Sequence, residues 1–473
     1  MNLRPATRPL ALALALALLP ATGAHAADLM EAYTLARAGD PQFAAAESSR
    51  LVTREGAVQA RAAMLPQIGL GGSYSRNESD NEGTQVFGGQ PFPPSDTSNE
   101  STSRQVGLSL SQMVFDRSRF TRLAGQRALA RAADFTLEAE GDNLITRTSA
   151  AYFNVLVAIE TLAAAEAQET ALRKQLDFAD KRLEVGLAPI TDVHEARAQF
   201  EGARANVVVT RAALADAYQA LAEITGVPVT DLKGLPAAFQ PELPPAGGAD
   251  QWVATALGSN PTLQATQLQV ESARTDIETA RARRWPTVYL TGNYGDTSTD
   301  GSSTDNIDEI TNDFENESQS RNLTLVLDLP IFEGGAIQSQ VRQAVAQRDV
   351  RADQLEQQRR AVERNTRDAY QTLVAGVSEV EARRLALVSA QSAYDASQVG
   401  FEVGTRTVID VLLNQQTLFN AQREYALARY NFLQNRLLLE QAAGTLDVAD
   451  VQEVNRLLTV DAEAQLESPP PTP

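Results

Sequence analysis

The sequence predicts an α+β membrane protein built from two tandem structural repeats, each of which combines two β-strands with a long helical hairpin. Three observations support this fold class. Sequence landmarks recur at a nearly constant offset, four segments alternate apolar and polar residues, and helical sequence runs for about 70 residues without proline. Each observation accounts for one element of the fold.

The repeat is clearest in two short strings. Residues 184–193 read EVGLAPITDV and residues 402–411 read EVGTRTVIDV, 218 positions apart. Pro66 and Pro286 are separated by 220 positions, and other matched residues keep nearly the same offset. Solenoid and propeller repeats have periods of only roughly 20 to 50 residues. The repeated unit is therefore half of the protein, and we place the two units at 27–245 and 246–445.

Two strands are predicted in each repeat, at about 67–80, 100–114, 287–298 and 318–330. In the first segment, Ile68, Leu70 and Tyr74 alternate with polar residues and glycines, which is the period of a strand with one apolar face. The stretch between the two strands of each pair is polar and rich in Gly, Ser, Asn and Asp. These stretches predict long exposed loops at 78–101 and 295–318.

The remaining sequence is dominated by alanine-rich helical segments. They predict one helical hairpin at about 116–226 with its tip at 184–193, and a second at about 335–444 with its tip at 402–411. From Tyr370 to Tyr394 the apolar residues recur at heptad spacing, which indicates coiled-coil packing. A helix of such length would extend on the order of 100 Å and needs partners along its whole length.

The N-terminal segment 1–26 is predicted to be a secretory signal peptide, because Arg4 and Arg8 precede a short apolar run that ends in a small-residue cleavage site. The run is too short for a transmembrane anchor. At the other end, residues 446–473 form a C-terminal segment with a Pro-rich tail.

Composition excludes several classes of function. The chain has a net charge of −19, which makes nucleic acid an improbable partner. It has no cysteine, so thiol chemistry and thiolate metal sites are excluded. His194 is the only histidine after the signal peptide, and we find neither a glycine loop for phosphate nor spaced metal ligands. The sequence therefore predicts no enzyme, no catalytic residue, no metal and no cofactor.

Four strands cannot close a barrel, and an open sheet with one apolar face cannot lie in lipid because its edges would stay unpaired. Several chains must therefore contribute strands. The signal peptide, the expected absence of an apolar helix long enough to cross a membrane, and the alternation of hairpins and long loops favour an outer-membrane barrel.

The strings LPQIGLGGSYS, AYFNVLVAIE, RLEVGLAPITDVHEARAQF and VGTRTVIDVL resemble, in order and spacing, the TolC family of outer-membrane efflux and secretion ducts. The resemblance covers essentially the whole mature chain. It implies a homotrimer in the outer membrane of a Gram-negative bacterium, with one twelve-stranded barrel in lipid and a long periplasmic tunnel of helices. An equatorial belt would surround the tunnel, built from residues near 28–40, 226–260 and 444–465.

The resemblance also implies a function and partners. The chain would be the exit duct of a tripartite efflux pump or a type I secretion system. A periplasmic adaptor protein would dock it to an inner-membrane pump of the RND type or to an ABC exporter. The sequence does not identify the cargo, since the pump selects it.

Site residues follow from the same resemblance. In the family, the hairpin tips close the periplasmic entrance, and the residues matched to contacts between tips are Gln175, Thr191, Asp192 and Arg406. Asp410 matches a carboxylate that points at the pore axis. Three residues depart from the family pattern, namely Gln398, Phe401 and Leu413, which stand where a glutamate, a tyrosine and a second pore-facing aspartate are common. We therefore expect fewer contacts between tips and a single carboxylate ring.

Two other functions stay open on the residues alone. The chain could be a free-standing porin, open without partners, or a non-conducting coiled-coil protein of the envelope. The two kinked tips with their charged residues favour a regulated entrance over a porin.

Overall fold

The computed structural model describes residues 28–83, 86–91, 95–187, 189–236, 239–244 and 247–464. The predicted signal peptide at 1–26 and the end of the C-terminal tail at 465–473 lie outside the described residues. The fold is α+β, mostly helical with one large sheet.

Helices and strands follow one another in this order: α1 (Leu29–Gly39), α2 (Pro41–Ala62), β1 (Gln67–Gly83), β2 (Val86–Phe87), β3 (Gln90–Pro91), β4 (Ser95–Phe115), α3 (Arg117–Glu184), α4 (Ile190–Thr225), β5 (Lys233–Gly234), α5 (Ala249–Ser259), α6 (Pro261–Ala282), β6 (Thr287–Asp305), β7 (Ile310–Asp328), α7 (Ala336–Glu402), α8 (Val408–Ala443), α9 (Val448–Leu457) and β8 (Val460–Asp461).

The four long strands form one antiparallel sheet in the order β1-β4-β6-β7, so that β1 and β7 are its edges. Strands β4 and β6, which come from different halves of the sequence, pair in the middle of the sheet. Leu70 lies opposite Leu108, and Leu108 lies opposite Tyr294. The apolar residues predicted to alternate along each strand therefore share one face of the sheet.

The prediction of long loops at 78–101 and 295–318 is wrong. In the structure β1 continues to Gly83 and β4 begins at Ser95, while β6 and β7 are separated only by residues 306–309. The polar stretches form strands because their backbones pair with neighbouring strands and hydroxyl side chains bond across the sheet. The Oγ of Ser103, for example, lies 3.1 Å from the Oγ1 of Thr299. Serine and threonine on both faces remove the alternation that usually reveals a strand, but they do not prevent pairing.

The chain divides into two compact units. The first comprises residues up to 47, 137–261 and from 359 onwards. Its core contains the fully buried side chains of Tyr152, Leu156, Leu433 and Leu437 from α3 and α8. Within this unit α1 packs against α4 and α9, α5 packs against α8, and β5 pairs with β8. The segments expected to form the equatorial belt supply these short elements.

A buried ion pair fixes the loop after β5 to the core of the first unit. Arg429 donates two hydrogen bonds to the carboxylate of Glu160, at 2.7 and 2.9 Å, and a third to the carbonyl oxygen of Pro236 at 3.3 Å. The hydroxyl of Tyr430 donates to the same carboxylate at 2.9 Å. The guanidinium also lies over the ring of Tyr425, 4.8 Å from its centroid. One cationic side chain therefore connects α3, α8 and the loop.

The second unit comprises residues 48–136 and 262–358 and contains the four-stranded sheet with the helical segments next to it. Arg131 of α3 and Glu271 of α6 form an ion pair at 2.9 Å, and the hydroxyl of Thr279 donates to that of Thr121 at 2.7 Å. These contacts join α3 to α6 beside the sheet.

Among the described residues, one helix is long and apolar enough to cross a membrane by length and composition. It is α3, whose most apolar window of 18 residues has a mean hydropathy of 1.3 and is 50% buried. The expectation that no such helix exists is therefore wrong on composition. A helix that packs in a protein core passes the same test, so this finding is weak evidence for a span.

Candidate functional site at the helical tips

Each helical hairpin turns over at a glycine in the left-handed conformation. Gly186 has a φ of 75° and Gly404 a φ of 77°. A residue with a Cβ rarely adopts this conformation, which explains the glycine that both E-V-G strings share. The glycine of the repeated motif is needed by the turn itself.

The same two hydrogen bonds close both turns. At the first tip, the N–H of Leu187 donates to the carbonyl of Arg182 at 2.8 Å, and that of Gly186 donates to Leu183 at 2.9 Å. At the second tip, Thr405 donates to Gly400 at 2.8 Å, and Gly404 donates to Phe401 at 3.0 Å. This is the Schellman arrangement, which satisfies carbonyls at the end of a helix.

The aspartate and valine that end each string also have roles within one chain. Asp192 and Asp410 both occupy the third position of the helix that follows the turn, where a negative charge is favoured by the helix dipole. Val193 and Val411, which come next, are buried at 3% and 4% exposure. The repeated string therefore encodes a turn, a helix start and a packing contact.

Asp410 is held by Thr407, the residue that caps α8. Its Oδ2 accepts a hydrogen bond from the backbone N–H of Thr407 at 2.9 Å and another from the hydroxyl at 2.8 Å. These bonds, together with the positive charge of Arg406, lower the pKa of Asp410. The carboxylate is therefore both charged and oriented within one chain, although its capping role alone would account for its presence.

Arg406 and Asp192 are not brought together within one chain. The side chain of Arg406 lies back over the end of α7, where a Cβ added to Gly400 would come within 2.7 Å of its Cγ. In the part of the chain that the structure describes, Arg406 has no ion pair. Asp192 accepts a hydrogen bond from the neighbouring hydroxyl of Thr191 at 3.4 Å. These three residues are available to contact another chain.

Gln175 is partly buried on α3, ten residues before the first turn. Its Nε2 is inaccessible to solvent and has no hydrogen-bond partner among the described residues. A buried amide without a partner is costly, typically about 1–3 kcal/mol.

Phe401 takes part in a contact that the sequence did not predict. Its ring packs edge-on against Phe178 of α3, with centroids 5.9 Å apart, and Arg182 lies 5.8 Å from the centroids of both rings. This aromatic and cationic cluster connects the end of α3 to the end of α7. The spacing of four between Phe178 and Arg182 was its only signal in the sequence, since side chains at this spacing are neighbours on a helix.

Below the tips, small apolar clusters hold the helices together. One contains Leu172, Ala203 and Leu412, so that α3 and α4 of the first hairpin contact α8 of the second. Leu413 is 62% exposed, and Gln398 is exposed as well. Two of the three departures from the family pattern, Gln398 and Leu413, thus lie on the surface of the chain.

The sequence matches a known protein family. The sequence model of the family described as outer membrane efflux protein matches residues 32–227 and 252–445, which is most of the chain. The protein belongs to the outer membrane efflux protein family.

This outer membrane efflux protein is 35% identical over 438 residues to the outer membrane protein TolC of Escherichia coli (strain K12), covering 92% of this chain and 86% of the relative. It is 28% identical to the alkaline protease secretion protein AprF of Pseudomonas aeruginosa, covering 91% and 87%. Its fold is similar to that of the Campylobacter jejuni CmeC outer membrane channel, with a TM-score of 0.71 and 17% identity over 91% and 90% of the two chains.

The family resemblance predicted from the motifs is therefore confirmed. The efflux protein is an exit duct of the Gram-negative outer membrane, and its family consists of channels and not of enzymes. The fold and the location are established by these similarities.

Proposed function

We propose that three copies of this chain assemble into one duct, with a twelve-stranded barrel in the outer membrane and a tunnel of helices in the periplasm. The open sheet supports this proposal most directly. Its edge strands are β1 and β7, and one face exposes apolar side chains such as Leu70, which is 77% exposed. In lipid every strand edge must pair, so a closed barrel requires more strands than one chain has.

Two tandem repeats would supply the strands and helices of each chain, with 27–245 forming the first and 246–445 the second. Two features support this division. The family's sequence model matches twice, once in each proposed repeat. The two tips also share their glycine conformation and hydrogen bonds at an offset of 218. Residues 446–473 would complete the equatorial belt.

The tips would form a gate at the periplasmic entrance. Six tips per trimer would meet there, with Arg406 of one tip pairing with Asp192 and Thr191 of a neighbour. Gln175 would join these contacts if its side chain turns outwards on assembly, because its Nε2 is enclosed by its own chain in the structure. Among the described residues Arg406 is exposed and forms no ion pair, which supports its contact with a neighbouring tip.

Asp410 would form a ring of three carboxylates on the symmetry axis. Charged rings of this kind favour cations over anions in a narrow pore. Leu413 removes the second ring. Phe401 lacks the hydroxyl that tyrosine would offer between tips, but its contact with Phe178 and Arg182 supports the hairpins within each chain.

The duct would act with a periplasmic adaptor and an inner-membrane pump, either of the RND type or an ABC exporter. The names of relatives point to both uses, since AprF is named for the secretion of alkaline protease and BepC of Brucella suis as an efflux protein. We propose passive release of drugs, toxic compounds or secreted polypeptides through the duct.

Planar lipid bilayers test the duct, and ultracentrifugation in detergent tests the trimer. The purified protein should insert as single channels of small, discrete conductance and should sediment as a trimer. A stable, folded and monomeric species in detergent would contradict the assembly. A trimer without conductance would favour a structural envelope protein instead. Crosslinking in cells followed by co-purification should then recover the adaptor and the pump.

A further inference from the structure

The four long strands join helices at one end of the sheet, and exposed apolar side chains lie at this end. On the face that carries the apolar residues, the last row before the helices contains Phe115, Val288 and Leu327, which lie opposite one another in the register. Exposed apolar side chains continue past this row, among them Trp285 and Phe332. Aromatic residues in such positions mark the edge of the hydrocarbon in membrane barrels. In the proposed barrel, the junctions between strands and helices therefore lie at the level of the lipid headgroups.

These junctions are basic, although the chain as a whole is acidic. Taken as nine residues each, they are 58–66, 114–122, 280–288 and 328–336. Together they contain three carboxylates and seven arginines, whereas the whole chain has 60 acidic and 41 basic residues. The arginines are Arg61, Arg117, Arg119, Arg122, Arg281, Arg283 and Arg284. One of the carboxylates, that of Asp116, is buried. The junctions therefore place an excess of positive charge at the headgroup level.

Arg117 and Trp285 form a stacked pair next to the two central strands. The guanidinium of Arg117, the first residue of α3, lies 4.8 Å from the centroid of the Trp285 ring. Phe115 lies on the apolar face, whereas Asp116 accepts a hydrogen bond at 2.7 Å from the hydroxyl of Tyr289, which lies on the opposite face. Because side chains alternate along an extended chain, Arg117 returns to the side of Phe115. The stacked pair therefore faces lipid and not the lumen.

Neutral side chains hold two more guanidinium groups next to this pair. Arg283 donates a hydrogen bond to the side-chain oxygen of Gln340 at 2.9 Å, and Arg284 donates one to that of Gln338, both on α7. Among the described residues neither of these arginines forms an ion pair, and Arg117 forms none either. A guanidinium has five N–H donors, so most donors of each group stay available. The arrangement orients three positive charges without neutralising them.

We infer that these three arginines and Trp285, here called the headgroup site, bind anionic phospholipid in the inner leaflet of the outer membrane. The planar guanidinium makes two parallel hydrogen bonds to phosphate oxygens. An indole ring prefers the membrane interface, at the depth of the same phosphates. Basic pockets between helices at a membrane surface bind anionic headgroups in this way.

This inference rests on the proposed trimeric duct, which would carry three headgroup sites. Neighbouring chains would pair through the edge strands β1 and β7, whereas the stacked pair adjoins β4 and β6 in the middle of the sheet. Assembly therefore leaves the stacked pair open to lipid. The helices would project into the periplasm, so the lipid at this end of the strands is phospholipid of the inner leaflet.

Trp285 itself reports contact with lipid. The chain has two tryptophans, and the other, Trp252, is only 7% exposed. Phospholipids with brominated acyl chains quench tryptophan on contact, and Trp285→Phe gives the background from Trp252. The purified trimer is reconstituted in mixtures of phosphatidylglycerol, which is anionic, and phosphatidylethanolamine, which is neutral overall, with one lipid brominated at a time. The quenching of Trp285 then gives the affinity for the anionic lipid relative to the neutral one.

We expect the native trimer to prefer phosphatidylglycerol at least about fivefold at low salt, since one arginine near an anionic surface contributes a factor of about five. Arg283→Gln combined with Arg284→Gln should bring the preference to within about twofold of one. The matched control is Arg127→Gln combined with Arg131→Gln. It removes two exposed arginines of α3 that lie 10 and 14 residues beyond Arg117, or about 15 and 21 Å along the helix. The control should keep the preference, and high salt should weaken it.

The native trimer alone can overturn the inference. Equal affinity for the two lipids in a conducting trimer would refute the headgroup site and leave the proposed duct intact. Absence of quenching by either lipid would place Trp285 away from the membrane and also refute it. Equal loss of preference in the control variant would show that the site does not supply the preference.

Inorganic phosphate separates the lipid from a free anion. Phosphate added at constant ionic strength should leave the preference unchanged, and loss of the preference would assign the site to free phosphate and overturn the inference. A monomer, or a trimer without conductance, would instead contradict the proposed duct and the inference with it.

Discussion

The buried pair of Arg429 and Glu160 offers a sharp test of how the first unit is held together. We predict that Arg429→Met lowers the thermal stability of the protein substantially. The substitution keeps most of the side-chain volume but removes the guanidinium. Among the described residues, the Glu160 carboxylate then keeps only the hydrogen bond from the Tyr430 hydroxyl. The carbonyl oxygen of Pro236 loses the donor that Arg429 supplied.

The structure sets the size of the effect. The side chain of Arg429 is 6% exposed and that of Glu160 is 16% exposed. Removing one member of a buried ion pair costs about 3–5 kcal/mol, because the other charge stays buried without a counter-charge. For a chain of 473 residues, an unfolding entropy of about 2.1 cal/mol/K per residue gives about 1 kcal/mol/K. The expected fall in Tm is therefore about 3–5 °C.

The control is an exposed ion pair. Arg211 and Glu166 form an ion pair at 2.6 Å, with side chains 65% and 33% exposed. Exposed pairs contribute about 0–1 kcal/mol, so Arg211→Met should lower Tm by at most about 1 °C. Circular dichroism of both variants in detergent at one scan rate measures the difference. Equal shifts would refute the reasoning, as would a double variant with Glu160→Gln that is less stable than Arg429→Met alone.

Three further predictions concern the tips and one buried carboxyl. Arg406→Ser should raise single-channel conductance and sensitivity to vancomycin, since it removes a cation from the proposed gate; unchanged values would exclude that role. In the proposed trimer the single ring of Asp410 carboxylates should bind the trivalent cation hexaamminecobalt(III) from the periplasmic side and give a weak block. Asp410→Asn keeps an acceptor for Thr407 but removes the charge, so it should abolish this block and reduce cation selectivity, whereas persistent block would place Asp410 off the pore axis. Burial, aided by the Glu138 carboxylate, raises the pKa of Asp142 from 3.8 to about 7, so the folded state loses stability as the pH rises between these values. Asp142→Asn should therefore raise Tm more at pH 8 than at pH 5, and equal gains would contradict this origin.

The long helices and the apolar parts of the strands could be predicted because their periods are written in the sequence. The hairpin predicted at about 116–226 corresponds to α3 and α4, which span 117–184 and 190–225. Alternating Ile68, Leu70 and Tyr74 likewise lie within β1. In both cases burial or lipid contact on one side imposes a pattern that survives without any tertiary information.

The outer halves of the strands could not be predicted in the same way. There one face carries most of the charged residues and the other is made mainly of serine, threonine, asparagine and glycine, so both faces are largely polar and no regular apolar alternation remains. These residues also favour turns when they are read locally. The pairing of β4 with β1 and β6, and of β6 with β7, shows that the backbone is extended there, and the β4–β6 pairing joins distant parts of the chain.

At the tips, the family resemblance and the local structure explain the same residues differently. The glycine, aspartate and valine of the repeated string each have a role within one chain, as turn, helix start and packing contact, so the repetition by itself is no evidence for a gate. Support for the proposed contacts between chains must come instead from groups that the described part of the chain leaves unsatisfied. The buried amide of Gln175 has no acceptor and Arg406 has no ion pair in the described part of the chain, and neither feature improves the fold of a monomer. Arg406 is exposed and can meet a neighbouring chain in the proposed trimer, whereas the Nε2 of Gln175 is already enclosed by its own chain, so of the two groups only Arg406 supports the proposed contacts between tips.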